Sequence, residues 1–162
     1  MRRPADDVTP ARFTRLPSWL LTQTAQHAGR LVADGMAAVD GRGYHYRVLA
    51  ALDEFGPASQ AALGRRSGVH LSDLVAALNE LADRGFVERA PDPADRRRNI
   101  ITITSAGHRQ LALLEGQLTR VQDALLAPLE PDERAQLVGL LTRVLDHQVR
   151  GAGSPQTPTV GS

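Results

Sequence analysis

Arg96, Arg97 and Arg98 follow one another at the end of the segment Ala90-Pro91-Asp92-Pro93-Ala94-Asp95, just before Asn99. The two prolines and two aspartates keep such a stretch extended and solvated, so the three guanidinia are displayed and not packed away. A guanidinium is always charged and presents paired donors to phosphate oxygens or to the acceptor edge of guanine, so the chemistry on offer is polyanion binding. An exposed charge run is most simply a solvated loop tip. Here, however, Asp95 lies two residues before Arg97, and in a tight tip its carboxylate reaches that guanidinium and orients it. A plain surface ion pair there contributes about 0 to 1 kcal/mol.

Other chemistries lack their parts. The 162 residues contain no cysteine, which removes disulfides, thiolate metal sites and thiol nucleophiles together. Five histidines, His27, His45, His70, His108 and His147, are scattered without a His-x-x-x-His pair, so no metal site is expected. There is no Gly-x-Gly-x-x-Gly, no phosphate-loop lysine and no Gly-x-Ser-x-Gly elbow, and Glu115, Asp123 and Glu133 fall on charged helix faces. Neither an enzyme nor a cofactor protein is indicated. All 19 basic residues are arginine, for which coding bias is the simplest source, and the net charge is only +1. Any anion-binding surface must therefore be a local patch. With 42% hydrophobic and 23% charged residues the chain can fold as one globular domain. No apolar run approaches the roughly 20 residues of a spanning helix, and no charged-then-apolar leader opens the chain, so the protein reads as cytoplasmic with no membrane partner.

The elements that position the arginines follow from apolar spacing. Trp19, Leu20, Ala25, Ala28, Leu31, Val32 and Met36 form the stripe of a long first helix, which Ser18 could cap. A break at Asp40, Gly41 and Gly43 leads to a second helix over 44–55, ended by Gly56-Pro57. A short helix follows from a capping Ser59 to the Ser67-Gly68 turn. Leu71, Leu74, Val75, Leu78 and Leu81 then trace an amphipathic helix that stops at Gly85. Two helices split by a glycine turn are a helix-turn-helix pattern. The period then shortens: residues 86–89 and 100–104 are β-branched and aromatic and flank the arginine loop, which makes a hairpin. From a Thr104 cap a long helix carries Leu111, Leu114, Leu118, Val121 and Leu125 at alternating three- and four-residue spacing, a seam of coiled-coil character that calls for a partner. Pro131 opens a last helix, with Leu137, Leu140, Leu141, Val144 and Leu145, to about residue 149.

Helix, turn, helix, hairpin is the order of a winged helix, and the expected fold is mainly α with a small β-hairpin wing. In that geometry the second helix enters a major groove, where Ser72, Asp73, Val75, Ala76 and Asn79 face base edges, while the wing sets a guanidinium in the minor groove. Arg65, Arg66 and Arg89 would touch phosphates, and Ser59 and Gln60 at the start of the short helix are counted with the DNA-binding residues. Asp73 has a local role as well: with His70 as N-cap it falls at N3, where a carboxylate suits the positive helix end. Trp19, Tyr44, His45 and Tyr46 could line an apolar pocket where the first two helices meet the leucine seam, or serve as ordinary core aromatics.

Gly85-Phe86-Val87-Glu88-Arg89, Asp92-Pro93-Ala94-Asp95-Arg96-Arg97-Arg98-Asn99 and Thr102-Ile103-Thr104-Ser105-Ala106-Gly107 together resemble bacterial regulators of the multiple-antibiotic-resistance (MarR) type, and the resemblance runs over about 19–149. It implies a homodimeric transcription regulator, a repressor in the first instance, on a pseudo-palindromic double-stranded operator. It makes Arg97 the minor-groove arginine, with Asp95 its carboxylate partner and residues 72–79 the major-groove face. It also implies a small phenolic or antibiotic-like effector in the aromatic pocket. The sequence departs from the family in placing Ala76 and Glu80 where basic residues are common. The organisation expected is an N-terminal arm over 1–17, a DNA-binding lobe over 40–104, a dimerisation region over 18–39 and 105–150, and a disordered tail over 151–162. Leu20, Leu111, Leu114, Leu118, Val121, Leu137, Leu141 and Val144 would form the dimer contact. The alternative is a winged-helix protein-interaction module with only weak, non-specific DNA affinity.

Overall fold

A computed structural model describes residues 10–152. It comprises α1 (Ala11–Thr14), α2 (Pro17–Ala37), α3 (Gly43–Phe55), β1 (Ala58–Ser59), α4 (Gln60–Ser67), α5 (Leu71–Asp83), β2 (Val87–Pro91), β3 (Asn99–Ile103), α6 (Ser105–Leu125) and α7 (Pro131–Ala152). The chain divides into two units, Met1–Leu125 and Leu126–Ser162, the second built on α7. The fold is mainly helical, with a three-stranded antiparallel sheet in the order β1-β3-β2.

Chain punctuation explains most boundaries. Gly85, at φ +71°, closes α5 in a Schellman turn: Phe86 N donates to Leu81 O at 2.8 Å and Gly85 N to Ala82 O at 2.9 Å. Thr104 then caps α6 by accepting from Gly107 N at 3.0 Å, while its hydroxyl donates to Gly85 O at 2.7 Å. The exit of α5 and the entry of α6 are thereby held together. Gly107 is required at this junction, since a Cβ there would run into the Phe86 carbonyl and the Ile103 side chain. The core joins Met36 of α2, Val48, Leu49 and Leu52 of α3, Leu63 of α4, Leu74, Leu78 and Leu81 of α5, Val87 and Ile101 of the sheet, and Leu111 and Leu114 of α6.

Several expectations need correction. Residues 11–14 of the expected arm are helical, and α2 starts at Pro17, whose missing N–H costs nothing at the first turn, so Ser18 is not its cap. Residues 1–9 and the tail beyond 152 lie outside the described residues. Strand β1 has only two residues and carries no sequence signal of its own; it forms because β3 offers a free edge, with Ala58 opposite Ile101 and Ser59 opposite Ile100. The largest change concerns the leucine seam of α6. Leu111, Leu114 and Val121 are buried within one protomer, with Leu118 packed half-buried against the same core, because α2 and α3 cover that face. These four residues therefore do not form an open dimer seam. Exposed apolar residues include Leu20 and Leu21 of α2 and, in the other unit, Val138, Leu140, Leu141, Val144, Leu145 and Val149 of α7.

Candidate nucleic-acid interface

The face of α5 is decided by its core side. Leu74, Ala77, Leu78 and Leu81 are buried, so Ser72, Val75, Ala76 and Asn79 stand exposed on the rest of the cylinder. Asp73 belongs elsewhere. His70 is the N-cap but makes no side-chain cap bond, and Asp73 lines a small cavity of about 70 Å³ with Arg42, Tyr44, His45, Ala76, Ala77 and Glu80. Ahead of α5, Ser59 caps α4 by accepting from Ala62 N at 3.3 Å, and Gly68, at φ +63°, turns the chain between the two helices.

The hairpin tip is shaped by its aspartates. Asp92 Oδ1 accepts from Ala94 N at 2.9 Å and Asp95 Oδ1 from Arg97 N at 3.1 Å, two successive side-chain turns that stand in for backbone pairing. Asp92 N to Arg98 O at 2.8 Å closes the loop, and Arg98 N to Asp95 O at 2.9 Å tightens it. The Asp95 carboxylate faces Arg98 Nε at 3.5 Å and touches Arg97 only through its backbone. The expected Asp95–Arg97 guanidinium pair is thus replaced by a turn, because the carboxylate is committed to shaping the backbone two residues on. The Arg97 guanidinium has no partner among the described residues, and Arg96 borders a hollow with Pro91, Asp92 and Pro93.

Behind the tip, Ser59 of β1 and Gln60 and Arg65 of α4 converge with Arg89, Arg98, Asn99 and Ile101 of the wing around a cleft of about 530 Å³. Three guanidinia on one cleft make a concentrated positive field in a protein of net charge +1. Arg66 is not among them: it lies over the Phe55 ring, 5.1 Å from the centroid. Arg89 Nη2 donates to Asn79 Oδ1 at 2.8 Å, which ties the wing to the exposed face of α5.

Glu80, an unfavourable charge for DNA when read from sequence, is turned toward α3. Its carboxylate accepts from His45 Nε2 at 3.0 Å and sits 3.5 Å from Arg42 Nη1. Nothing in the spacing announced this pairing, since the partners are 35 residues apart. His45 is 3% exposed and its Nδ1 is buried without a partner. That ring is therefore neutral with the proton on Nε2, and desolvation holds its pKa below the ordinary 6.5, Arg84 and Arg42 adding to the effect and Glu80 opposing it. The unfolded chain then binds more protons than the folded one just below pH 6.5, so His45's contribution is complete above that value and is lost as the pH falls from it. On acidification from neutrality, the urea midpoint of the wild type should drop more steeply than that of His45→Gln. Parallel curves would contradict the assignment.

The aromatic pocket also separates into parts. Tyr44 and Tyr46 border a cavity of about 400 Å³ with Val32, Met36, Gly43, Arg47 and Leu118. His45 points instead to Glu80, and Trp19 packs on Phe13 with ring centroids 6.2 Å apart. Tyr44 also borders the smaller cavity beside His45, so the three residues are divided between two cavities. Among the described residues no group of His, Asp or Glu could hold a metal, and no helix is long and apolar enough to cross a membrane.

A helix-turn-helix followed by a three-stranded wing bearing an arginine tip defines a winged helix-turn-helix protein. The family model described as MarR family matches residues 39–98, the stretch that holds α3 to the wing tip. That stretch is 60 of the 162 residues, so the chain is similar to this family over its winged helix-turn-helix portion. A putative transcriptional regulatory protein for the hcr operon of Thauera aromatica is 36% identical over 86 residues, which span 53% of this chain and about half, 52%, of that protein. The HTH-type transcriptional repressor NicR of Pseudomonas putida is 26% identical over 140 residues, 86% of this chain and 89% of NicR. The PcaV transcriptional regulator of Streptomyces coelicolor, solved in complex with its natural ligand, is 28% identical with a TM-score of 0.70, covering 86% of this chain and 98% of that one.

Proposed function

We propose that this protein is a homodimeric, cytoplasmic transcriptional repressor, with no catalytic activity, that binds a pseudo-palindromic operator through α5 in the major groove and the 92–98 tip in the minor groove. The observation that carries the reading is the arrangement of arginines. Arg65, Arg89 and Arg98 border one cleft between α4 and the wing, and the Arg97 guanidinium is unpaired at the tip beside it. Phosphates would be held by the first three together with Ser59 and Gln60, and Ser72, Val75, Ala76 and Asn79 would meet base edges. A protein-interaction surface has no need of unpaired guanidinia, whose desolvation must be offset by a polyanion or by carboxylates.

The apolar faces left open on α2 and α7 support a second copy of the chain as partner, which would set two α5 helices about one helical turn of DNA apart. The tyrosine-lined cavity between α2, α3 and α6 would take a small aromatic effector, with Arg47 at hand for an acidic group. Such a ligand releases DNA only if it binds the two dimer conformations with different affinity.

Titration of the promoter fragment beside its own gene against a scrambled duplex, at physiological salt, tests the reading. A specific complex is expected, and Arg97→Ala should weaken it by about 1 to 3 kcal/mol while light scattering still shows a dimer. Equal affinity for both duplexes, collapsing with modest salt, is the result of the interaction-module alternative.

A further inference from the structure

Asn79 lies on the exposed face of α5 and Arg89 in β2, and the bond between them constrains the chemistry of both. A guanidinium carries donors only, so the amide atom facing Arg89 Nη2 at 2.8 Å must be the oxygen. The NH2 group is left pointing away from the wing. An unconstrained asparagine in the major groove favours adenine, because its oxygen accepts from N6 while its nitrogen donates to N7. With Oδ1 engaged by a cation, Asn79 offers donation alone, and the same charge polarises the amide and strengthens its N–H groups. Guanine presents two acceptors there, N7 and O6, whereas cytosine presents a donor.

No competing group releases the tie. The next residue, Glu80, has its carboxylate held by His45 and Arg42, and no carboxylate pairs with Arg89 among the described residues. Both side chains are exposed, so the bond is available at the surface that α5 presents. We infer that Arg89 is a positioning residue that fixes the Asn79 amide as a donor, so that the protein selects guanine and rejects adenine and cytosine at the base pair this side chain meets. The inference rests on the DNA-binding reading above.

Selection from a pool of random duplexes tests it with the full chain as wild type, Asn79→Ala, Arg89→Leu and Arg89→Lys. The wild type should enrich guanine over adenine by about tenfold at one position in each half-site, and Asn79→Ala should flatten that position alone. Arg89→Leu frees the amide to rotate and should bring adenine level with guanine at the same position. Arg89→Lys, which keeps one charged donor, should restore most of the preference. Thermal midpoints should stay together across the set, because neither side chain is buried. If Arg89→Leu weakens binding without changing any position of the profile, Arg89 is a phosphate contact only and the inference is overturned. A wild type that enriches no sequence at all sinks the DNA-binding reading and this inference with it. A specific wild type with an unaltered Arg89→Leu profile sinks the inference alone.

Discussion

Leu141→Glu combined with Leu145→Glu should give a folded protein of monomer mass whose operator affinity is lower by about 100-fold or more. Helix α7 spans 22 residues, none of those whose burial is described is buried, and Val138, Leu141, Leu145 and Val149 repeat at three- and four-residue steps along it. A helix with such a stripe in water is marginal by itself and gains its stability by covering the stripe. Covering it with the same surface of a second copy makes each substitution count twice, so the double variant sets four carboxylates into one apolar contact. Neither leucine belongs to the core cluster, so the protomer's own packing should persist. The loss of DNA binding follows because one lobe reads only half an operator and forfeits the effective concentration that linkage supplies. Light scattering and a gel-shift titration read the two effects, and a dimer of normal mass that still binds would refute this use of α7.

Leu114→Ala should behave in the opposite way, with protomer stability lowered by about 2 to 5 kcal/mol and the dimer retained. Leu114 is fully buried in the cluster that includes Met36, Val48 and Leu111. Gly41 packs directly over it, leaving the space that a Cβ would fill, so few neighbours are free to collapse into the cavity. Urea unfolding at fixed concentration and light scattering below the transition measure both quantities. Monomer mass with unchanged unfolding would return Leu114 to the interface where its heptad spacing first put it.

These two variants mark the boundary of what residue spacing can say. Leu111, Leu114, Leu118 and Val121 were legible as one apolar face of a helix, and that face exists. Periodicity identifies the face but not what covers it, and α2 and α3 cover it within the protomer. The same limit applies at Tyr44, His45 and Tyr46. Their polarity and size suggested one pocket, but Tyr44 and Tyr46 border one cavity, Tyr44 and His45 a second, and His45 is held to Glu80. Glu80 read as a penalty on DNA binding because its partners, Arg42 and His45, come from a different helix. At the wing, both aspartates were recognised as loop formers. Which arginine Asp95 would meet depended on a backbone turn of a few residues, and the turn chose Arg98.

By itself the sequence determined the local order: helix, glycine turn, helix, hairpin with three displayed arginines, then a helix started by Thr104. Each of those steps is governed by interactions within a few residues, such as the left-handed glycines at 68 and 85, the Ser59 and Thr104 caps and the aspartate turns. Only the tertiary structure decided the pairings, namely α6 with α2 and α3, Glu80 with His45 and Arg42, and Asn79 with Arg89. A pairing is chosen among all apolar faces and charged groups that the fold brings within reach, and side chains distant along the chain become neighbours only once the core has closed.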